Sequence, residues 1–519
     1  MLAAVRRLCV LLSLSSACAG GPAGGSRTGP GPIEPLPSAT AASSAPPSAS
    51  ASPTASAPEP AASAPGEGVP VTVLATAPDA RWIAYCAAER DSNGDGRIEV
   101  AIKPGGELEG DALSARLLIA GKPARPIDEL VLSDAQGRFV VVREAERYLL
   151  LDTRGDGAVD LTALGADLRT DVGALPGHRA LAFDHRGEHL AYLRPGAQGR
   201  DLVLRALGSG SERVIPTSLA EIHRLEIATG DRHAILHAVV EDSNKNGRLD
   251  WPLPPARSPR AACQGPLPRI AARYPSGDRS VKVVVPLAGG KLEPVPDLIT
   301  TLGSGLVRRA PSGEIVLHDA GKATTLASAQ CSGRLLYADA PRQALLIGCT
   351  GKNSVRAEVE LVAPGFRKAL KVAVQPTELD AQATSGPRLV PVYPGADSLL
   401  VDLETRDVHT LEAGDLVLAV WEQRALLRNR QSLRIYDATR RSSQKLEGEL
   451  ARLPDLLENG RFVFVSPLLV DLERAEIVGK SQLRPLALAS DGRLLVAEGG
   501  APSAERLAQG PLRWLSAAP

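Results

Sequence analysis

Aromatic residues are scarce in this sequence, because Phe, Trp and Tyr together make up only 3% of its 519 residues. A surface that binds bases or sugars by stacking needs aromatic rings, so this composition argues against such a surface. The sequence also lacks an excess of either charge, since 59 basic residues balance 59 acidic residues. A nucleic-acid-binding protein needs a basic face, and we therefore expect no nucleic-acid partner.

Familiar catalytic and membrane signatures are missing as well. The sequence contains neither a Gly-x-Ser-x-Gly elbow nor a His-Glu-x-x-His zinc helix. His185 and His189 are four residues apart, but they bracket a predicted β-turn instead of lying on a helix, so we do not expect them to bind a metal as a pair. No apolar run beyond the N-terminus is long enough to span a bilayer as a helix.

Residues 1–18 have the pattern of an export signal. Arg6 and Arg7 form a basic region, residues 8–14 are a short apolar run, and Cys18 follows small residues. The pattern resembles a bacterial lipoprotein signal, which implies that Cys18 is lipidated after cleavage and that the protein meets a membrane only through this anchor. Leu14 lies one position further from the Cys than is usual in that signal. Ordinary secretion is the alternative.

Residues 19–70 consist mostly of Pro, Ala, Ser and Gly. Such a segment cannot bury enough apolar surface to fold, so we expect a disordered tether. A proline-rich chain of this length reaches on the order of 100 Å. We expect the folded domain to occupy residues 71–519. The tether would hold this domain away from a membrane or would extend through a wall layer.

The rest of the chain repeats a short unit of strand, polar turn and strand. In its clearest copy, residues 181–193, a first strand ends at Phe183 and a turn ends at Gly187 before the second strand begins. Further copies start near Ala77 and Ser133, and less regular ones continue to the C-terminus. The strands are mostly Leu, Val, Ile and Ala, which is typical of strands that are buried on both faces.

The spacing of these copies predicts an all-β fold. Roughly 45 to 60 residues separate the clear copies, which suits one four-stranded blade of a β-propeller. We interpret later copies, about 30 residues apart, as two hairpins of one blade, because four strands need more chain. The prediction is a single propeller of seven or eight blades, and an array of β-sandwiches or two smaller propellers are the alternatives.

Two copies also resemble a known repeat. Residues 183–192 (Phe-Asp-His-Arg-Gly-Glu-His-Leu-Ala-Tyr) and residues 77–85 (Ala-Pro-Asp-Ala-Arg-Trp-Ile-Ala-Tyr) are similar to the TolB-like, WD40-related repeat. The resemblance covers about the first four blades and fades after Pro296. It implies a propeller and says little about activity, because propellers host many unrelated functions.

Two loops place oxygen-bearing side chains at alternating positions, as in the first part of an EF-hand calcium loop. The expected acid at position 12 is missing from the first loop, where Ile102 stands. We predict calcium sites at both loops, with a plain polar hairpin as the alternative for each. The Asp152–Gly157 loop instead fits an ordinary turn. The candidate residues are Asp91, Asn93, Asp95, Arg97 and Glu99 in the first loop and Asp242, Asn244, Asn246 and Asp250 in the second.

The position of each loop within its repeat predicts the face on which it lies. The Asp91 and Asp242 loops each follow the second strand of a unit, in blades one and four, so we expect them on one face of the propeller. The Asp152 loop follows a third strand and is expected on the opposite face.

Four cysteines besides Cys18 remain in the exported chain, which favours two disulfides over free buried thiols. Strand positions bring Cys331 nearly opposite Cys349, and we predict that these two are bonded. We also predict a Cys86–Cys263 bond, because a Pro-rich insertion carries Cys263 and is long enough to reach blade one.

The sequence as a whole indicates a binding or scaffold module of the cell envelope that does not catalyse a reaction. Its partner is then an unidentified protein or ligand at one face of the propeller. A hydrolase or lyase is the first alternative, and it requires acids or histidines from several blades to converge near the pore. A TolB-like component of an envelope complex is the second alternative, which depends only on the repeat resemblance.

Overall fold

The computed structural model describes fifteen segments of the chain, and these contain no α-helix. The signal-like segment, most of the tether and most of the residue 250–277 insertion lie outside them. No helix in the described part is long and apolar enough to cross a bilayer. The described residues are 69–103, 108–166, 180–228, 230–249, 263, 278–329, 334–339, 341–349, 357–374, 388–392, 398–430, 432–451, 455–499, 502–503 and 506–516.

The described strands form ten antiparallel sheets of three to five strands that follow one another along the chain, and one separate two-stranded hairpin; we call the ten sheets blades 1 to 10. Blade 1 contains β1 (Pro70–Thr76), β2 (Trp82–Ala87), β5 (Ser114–Ile119) and β6 (Arg125–Ile127), with a hairpin of β3 (Val100–Ile102) and β4 (Leu108–Gly110) between β2 and β5. Blade 2 contains β7 (Glu129–Ser133), β8 (Phe139–Glu144), β9 (Arg147–Asp152) and β10 (Ala158–Asp160). Blade 3 contains β11 (Leu181–Phe183), β12 (His189–Gly196), β13 (Gly199–Ala206) and β14 (Glu212–Leu219).

The middle of the chain forms the next four blades. Blade 4 contains β15 (Glu221–Ile227), β16 (His233–Val239), β17 (Ser280–Pro286) and β18 (Glu293–Pro294). Blade 5 contains β19 (Leu298–Leu302), β20 (Gly305–Arg309), β21 (Ile315–Asp319) and β22 (Lys322–Ala327). Blade 6 contains β23 (Arg334–Asp339), β24 (Ala344–Cys349), β25 (Ala357–Ala363) and β26 (Phe366–Val374). Blade 7 contains β27 (Leu389–Val392), β28 (Leu399–Asp402) and β29 (Val408–Thr410).

Three blades complete the described chain. Blade 8 contains β30 (Leu416–Trp421), β31 (Arg424–Asn429), β32 (Ser432–Asp437) and β33 (Ser442–Leu446). Blade 9 contains β34 (Leu456–Asn459), β35 (Phe462–Val465), β36 (Leu468–Asp471) and β37 (Glu476–Lys480). Blade 10 contains β38 (Ala487–Leu488), β39 (Leu494–Ala497) and β41 (Leu512–Leu515), whereas β40 (Ala508–Gln509) pairs with β1 of blade 1.

The strands of the blades are buried on both faces, as their composition predicted. In β8, Phe139 and Val141 pack toward blade 3, while Val140 and Val142 pack toward blade 1. All four side chains are buried. Each blade is therefore one layer between two apolar interfaces, and it cannot bury both faces without its neighbours.

The blades close into a ring. Ten hydrophobic clusters lie between the sheets, one at each junction between consecutive blades. The cluster that closes the ring joins Leu495 and Ala497 of blade 10 to Ile83 and Tyr85 of blade 1. The pairing of β40 with β1 adds backbone hydrogen bonds at the same junction. The predicted β-propeller fold is thus confirmed.

The predicted number of seven or eight blades is wrong, because the structure has ten. The error came from the later copies, which the sequence analysis merged in pairs. Blade 9 fits four strands between Leu456 and Lys480, because its strands have only four or five residues and tight turns join them. A spacing near 30 residues is therefore enough for a complete blade here.

The ring has two faces that carry different connections. We call the face with the connections between second and third strands the loop face, which includes residues 88–113 of blade 1 and 240–279 of blade 4. We call the other face the turn face, which includes the turns at residues 184–188 and 153–157. The Asp91 and Asp242 loops lie on the loop face in blades 1 and 4 and the Asp152 loop lies on the turn face, in agreement with the sequence analysis.

Ion pairs between neighbouring strands fix several turns of the turn face. In four blades an Arg at or just before the start of one strand pairs with the Asp that ends the following strand. The Asp also accepts a hydrogen bond from a backbone N–H of the turn that follows it. It therefore connects two strands with the turn that leads to the next strand. The pairs are Arg138–Asp152, Arg388–Asp402, Arg424–Asp437 and Arg461–Asp471.

Candidate functional site

The Asp91 loop folds around its own alternating side chains. The Asp91 carboxylate accepts the backbone N–H groups of Gly94 and Gly96 at 2.6 and 2.7 Å. The Asn93 side-chain oxygen accepts from the N–H of Asp95 at 3.0 Å, and the Asp95 carboxylate accepts from the N–H of Arg97 at 2.8 Å. Glycine is needed at positions 94 and 96 because both have positive φ.

The Asp242 loop repeats this arrangement. The Asp242 carboxylate accepts from the backbone N–H groups of Asn246 and Gly247 at 3.1 and 2.7 Å. The side-chain oxygens of Asn244 and Asn246 accept from the N–H groups two residues further along. Asp250, the last candidate of this loop, lies outside the described residues. Two loops from different blades therefore have the same local fold on the loop face.

A buried aspartate that the sequence analysis missed supports each loop. The Asp111 carboxylate accepts hydrogen bonds from the backbone N–H groups of Ser92, Asn93 and Glu99. These bonds lower the pKa of Asp111, and the bond from Ser92 contributes most. Asp278 has the same role in the second loop, where it accepts from the Ser243 hydroxyl and the Asn244 N–H.

A sequence signal for these aspartates exists. Each aspartate lies just before the third strand of its blade, in the sequences Asp111-Ala112 and Asp278-Arg279. The distances from the two loops differ, however, because a hairpin intervenes in one blade and an insertion in the other, so no fixed spacing reveals them.

The side chains of the first loop are compatible with a hard cation. The donors are all oxygens, and a carboxylate has about four lone-pair positions, of which the backbone N–H groups occupy only part. Asp91, Asp95 and Glu99 do not form a group of three acids or histidines with ligand atoms within 4.8 Å of one another; the one such group found among the described residues is elsewhere. Calcium binding at this loop therefore stays a prediction.

We expect millimolar calcium to raise the unfolding temperature of the full chain, because a ligand that binds only the native state stabilises it by mass action. The pair of substitutions Asp91→Ala and Asp95→Ala should remove this increase. Asp156→Ala is the matched control, since Asp156 is an exposed acid in the turn-face loop and pairs only with Lys122 among the described residues. Equal unfolding temperatures in calcium and in chelator would show that the loop is a plain hairpin.

A disulfide joins blade 1 to the connection of blade 4. Cys86 near the end of β2 is bonded to Cys263, with their Cα atoms 5.7 Å apart and a sequence separation of 177. Both residues are buried in the cluster between blades 1 and 2. This is the pairing that the sequence analysis predicted. Cys349 is also disulfide-bonded, whereas its predicted partner Cys331 and the candidate lipidation site Cys18 lie outside the described residues.

A second candidate site is a cavity of about 790 Å³ on the turn face, formed by blades 3, 4 and 5. Asp184, Glu188 and His189 line it, and one ligand atom from each lies within 4.8 Å of the others. The sequence analysis discounted His189 because it follows a β-turn. The structure shows that this turn returns His189 to Asp184, whose carboxylate is 2.8 Å from the ring Nδ1.

A second histidine and aspartate pair lies beside the first. The Asp231 carboxylate of blade 4 accepts the backbone N–H of His185 and lies 2.9 Å from its ring Nδ1. His233 lines the same cavity, and burial together with the charge of Arg232 lowers its pKa. The cavity therefore brings together charged groups from turns that are far apart in sequence.

Comparisons with known proteins assign this chain to no family. No family model matches this chain, and no curated protein matches it. Among solved structures, the chain is similar to the acylaminoacyl peptidase of Pyrococcus horikoshii, with a TM-score of 0.32 and 10% identity over 73% of this chain and 53% of that one. The chain thus spans about half the length of that peptidase.

Two further solved structures are similar to the chain over most of their own length. Apo AztD from Citrobacter koseri has a TM-score of 0.28 and 10% identity over 79% of this chain and 94% of that one. TolB from Acinetobacter baumannii has a TM-score of 0.22 and 10% identity over 60% of this chain and 81% of that one. Similarity at this level carries no argument about function.

Proposed function

We propose that this protein is an exported, tethered β-propeller that binds a partner on its loop face and catalyses no reaction. The propeller supplies a rigid ring, because every blade is packed on both sides by an apolar cluster. The proposal that residues 1–18 direct export and that residues 19–70 hold the ring away from an anchor at Cys18 rests on the sequence.

The Cys86–Cys263 disulfide is the observation that carries this proposal. Cys263 belongs to the connection between β16 and β17 of blade 4, and Cys86 belongs to β2 of blade 1, so the bond fixes one point of that connection against blade 1. The Asp91 loop starts five residues after Cys86. Fixing a surface in one conformation reduces the entropy lost on binding, so a pinned connection suits a binding surface.

The disulfide also supports export. Structural disulfides form and persist in oxidising compartments and are rare in the cytosol. A buried bond that links distant parts of one ring is of this structural kind, since reductants reach it poorly. An envelope or secreted location agrees with the signal-like pattern that ends at Cys18.

The hydrolase or lyase alternative requires acids or histidines from several blades to converge. Asp184, Glu188 and His189 of blade 3 form one such cluster, and Asp231 and His233 of blade 4 line the same cavity. These groups come mainly from two neighbouring blades, whereas the alternative requires several blades to converge near the pore.

Photo-crosslinking can test which face binds. A photoreactive residue at Ile98 or Leu249, which are exposed at the same position of the two loops, should give a crosslinked partner in intact cells. The same residue at Arg154 or Arg440, which are exposed on the turn face of blades 2 and 8, is the matched control and should give none. Crosslinks from the control positions alone would contradict the assignment of the loop face.

A further inference from the structure

We propose that the cavity on the turn face binds a short peptide that has an apolar side chain, a free carboxylate and a free ammonium group. This inference does not depend on the proposed function, because it concerns the opposite face of the ring. It rests on the size of the cavity, on its apolar wall and on the charged groups in it that the described structure leaves unpaired.

The cavity has the volume and the wall that a short peptide requires. At about 790 Å³ it falls within the range of small-molecule sites, roughly 300–1,000 Å³. Leu204, Ile227 and Leu287 contribute apolar surface, and they come from blades 3 and 4. An apolar side chain of a ligand would be removed from water against this wall.

Two guanidinium groups of the cavity are available for a carboxylate. Arg213 and Arg232 line it, both are exposed, and neither forms an ion pair with a described residue. Arg186 adds a third positive charge, and its Nε lies 3.8 Å from Asp231. Guanidinium groups bind carboxylates through two parallel hydrogen bonds, so these side chains suit the C-terminus of a peptide.

Most carboxylates of the cavity already accept hydrogen bonds within the protein. Asp184 accepts from the N–H groups of Glu188 and His189 and from the ring of His189. Asp231 accepts from His185, and Asp319 accepts from the Ser304 hydroxyl at 2.7 Å. Glu188 is exposed and forms no ion pair with a described residue, so its carboxylate is available for an ammonium group.

The unpaired groups thus have both signs. A ligand with only an anionic group would leave Glu188 beside a like charge, and a ligand with only a cationic group would meet two or three guanidinium groups. A zwitterionic ligand avoids both conflicts. Glu188 lies in the turn before β12 of blade 3, Arg213 lies on β14 of the same blade, and Arg232 lies in the turn before β16 of blade 4.

Isothermal titration of the full chain with trileucine tests the proposal. Trileucine should bind, its C-terminal amide should bind about tenfold more weakly, and its N-acetyl derivative should also bind about tenfold more weakly, because each lacks one charge-assisted contact. The double variant Arg213→Gln, Arg232→Gln should bind the acid and the amide equally. Glu188→Gln should bind the free and the acetylated peptides equally.

Two control variants keep the interpretation specific. The pair Arg154→Gln, Arg440→Gln removes exposed arginines of the turn face in other blades, and Glu146→Gln removes an exposed acid far from the cavity; all should bind like the original chain. Three results would each overturn the proposal. The first is that the control variants also bind the acid and the amide, or the free and the acetylated peptide, equally. The second is equal binding of acid and amide by the unaltered protein, and the third is no binding of trileucine at 10 mM (about the weakest affinity of interest).

Discussion

Replacing Cys86 and Cys263 with Ser is expected to lower the free energy of unfolding by up to about 5 kcal/mol, the loop-entropy value for a crosslink that closes a very long loop. The bond joins two residues that are 177 positions apart in sequence. Without it the unfolded chain gains conformational freedom, whereas the native ring loses only one contact. Urea unfolding of the two proteins, compared at the same temperature and pH, measures this difference.

The Ala pair at the same two positions is the matched control for the Ser pair. Because both cysteines are buried in an apolar cluster, a hydroxyl there adds a cost of its own, which the Ala pair does not have. Similar losses for both pairs assign the effect to the crosslink. Dithiothreitol is a less specific test, since it also reduces the disulfide that contains Cys349. Unchanged unfolding of both variants would show that the bond does not stabilise the protein by restricting the unfolded chain.

Replacing Arg388 with Met is expected to lower the free energy of unfolding by about 3 kcal/mol, because it leaves the Asp402 carboxylate buried without its partner. Arg388 Nε and Nη2 lie 2.6–3.0 Å from the Asp402 oxygens, and Asp402 is only 1% exposed. Arg440→Met is the matched control, since Arg440 is an exposed arginine of the next blade and should change the free energy of unfolding by less than about 0.5 kcal/mol.

The same pair predicts a dependence of stability on pH. Burial by itself raises the pKa of Asp402, but the hydrogen bonds from Arg388 and from the backbone of Thr405 and Glu404 lower it overall from 3.8. A carboxyl whose pKa is lower in the folded protein stabilises it above pH 4 and loses this contribution as the pH falls through the folded-state pKa. In Arg388→Met the burial effect is no longer opposed by Arg388, so protonation of Asp402 costs the folded protein less and the difference in stability between the two proteins should shrink as the pH falls below 4. Parallel acid-unfolding curves of the two proteins would contradict this.

The sequence predicted the unit of the fold well because local physics determines it. Residues 181–193 contain an apolar strand, an Asp-to-Gly turn and a second apolar strand, and the structure has these as β11, the turn and β12. Gly187 has a positive φ that the turn requires. The number of blades was not predictable in this way, because it depends on how short the strands of a complete blade can be, as blade 9 shows.

The candidate sites were predicted only where their residues are neighbours in sequence. The two aspartate loops lie on one face because each follows a second strand, and that position could be counted along the chain. The cavity was missed because Glu188, Arg213 and Arg232 come together only when blades 3 and 4 pack side by side. His189 was discounted because a β-turn separates it from His185, whereas that turn returns it to Asp184.

The sequence by itself determined that this chain forms short strands buried on both faces, and that its two aspartate loops share one face. Alternation, turn residues and position within a repeat are local properties, and they are fixed before the chain closes on itself. The tertiary structure alone decided that ten blades close the ring and that charged groups of blades 3 and 4 meet at one cavity. These outcomes depend on the angle and distance at which consecutive sheets pack, which the side chains of both partners determine together.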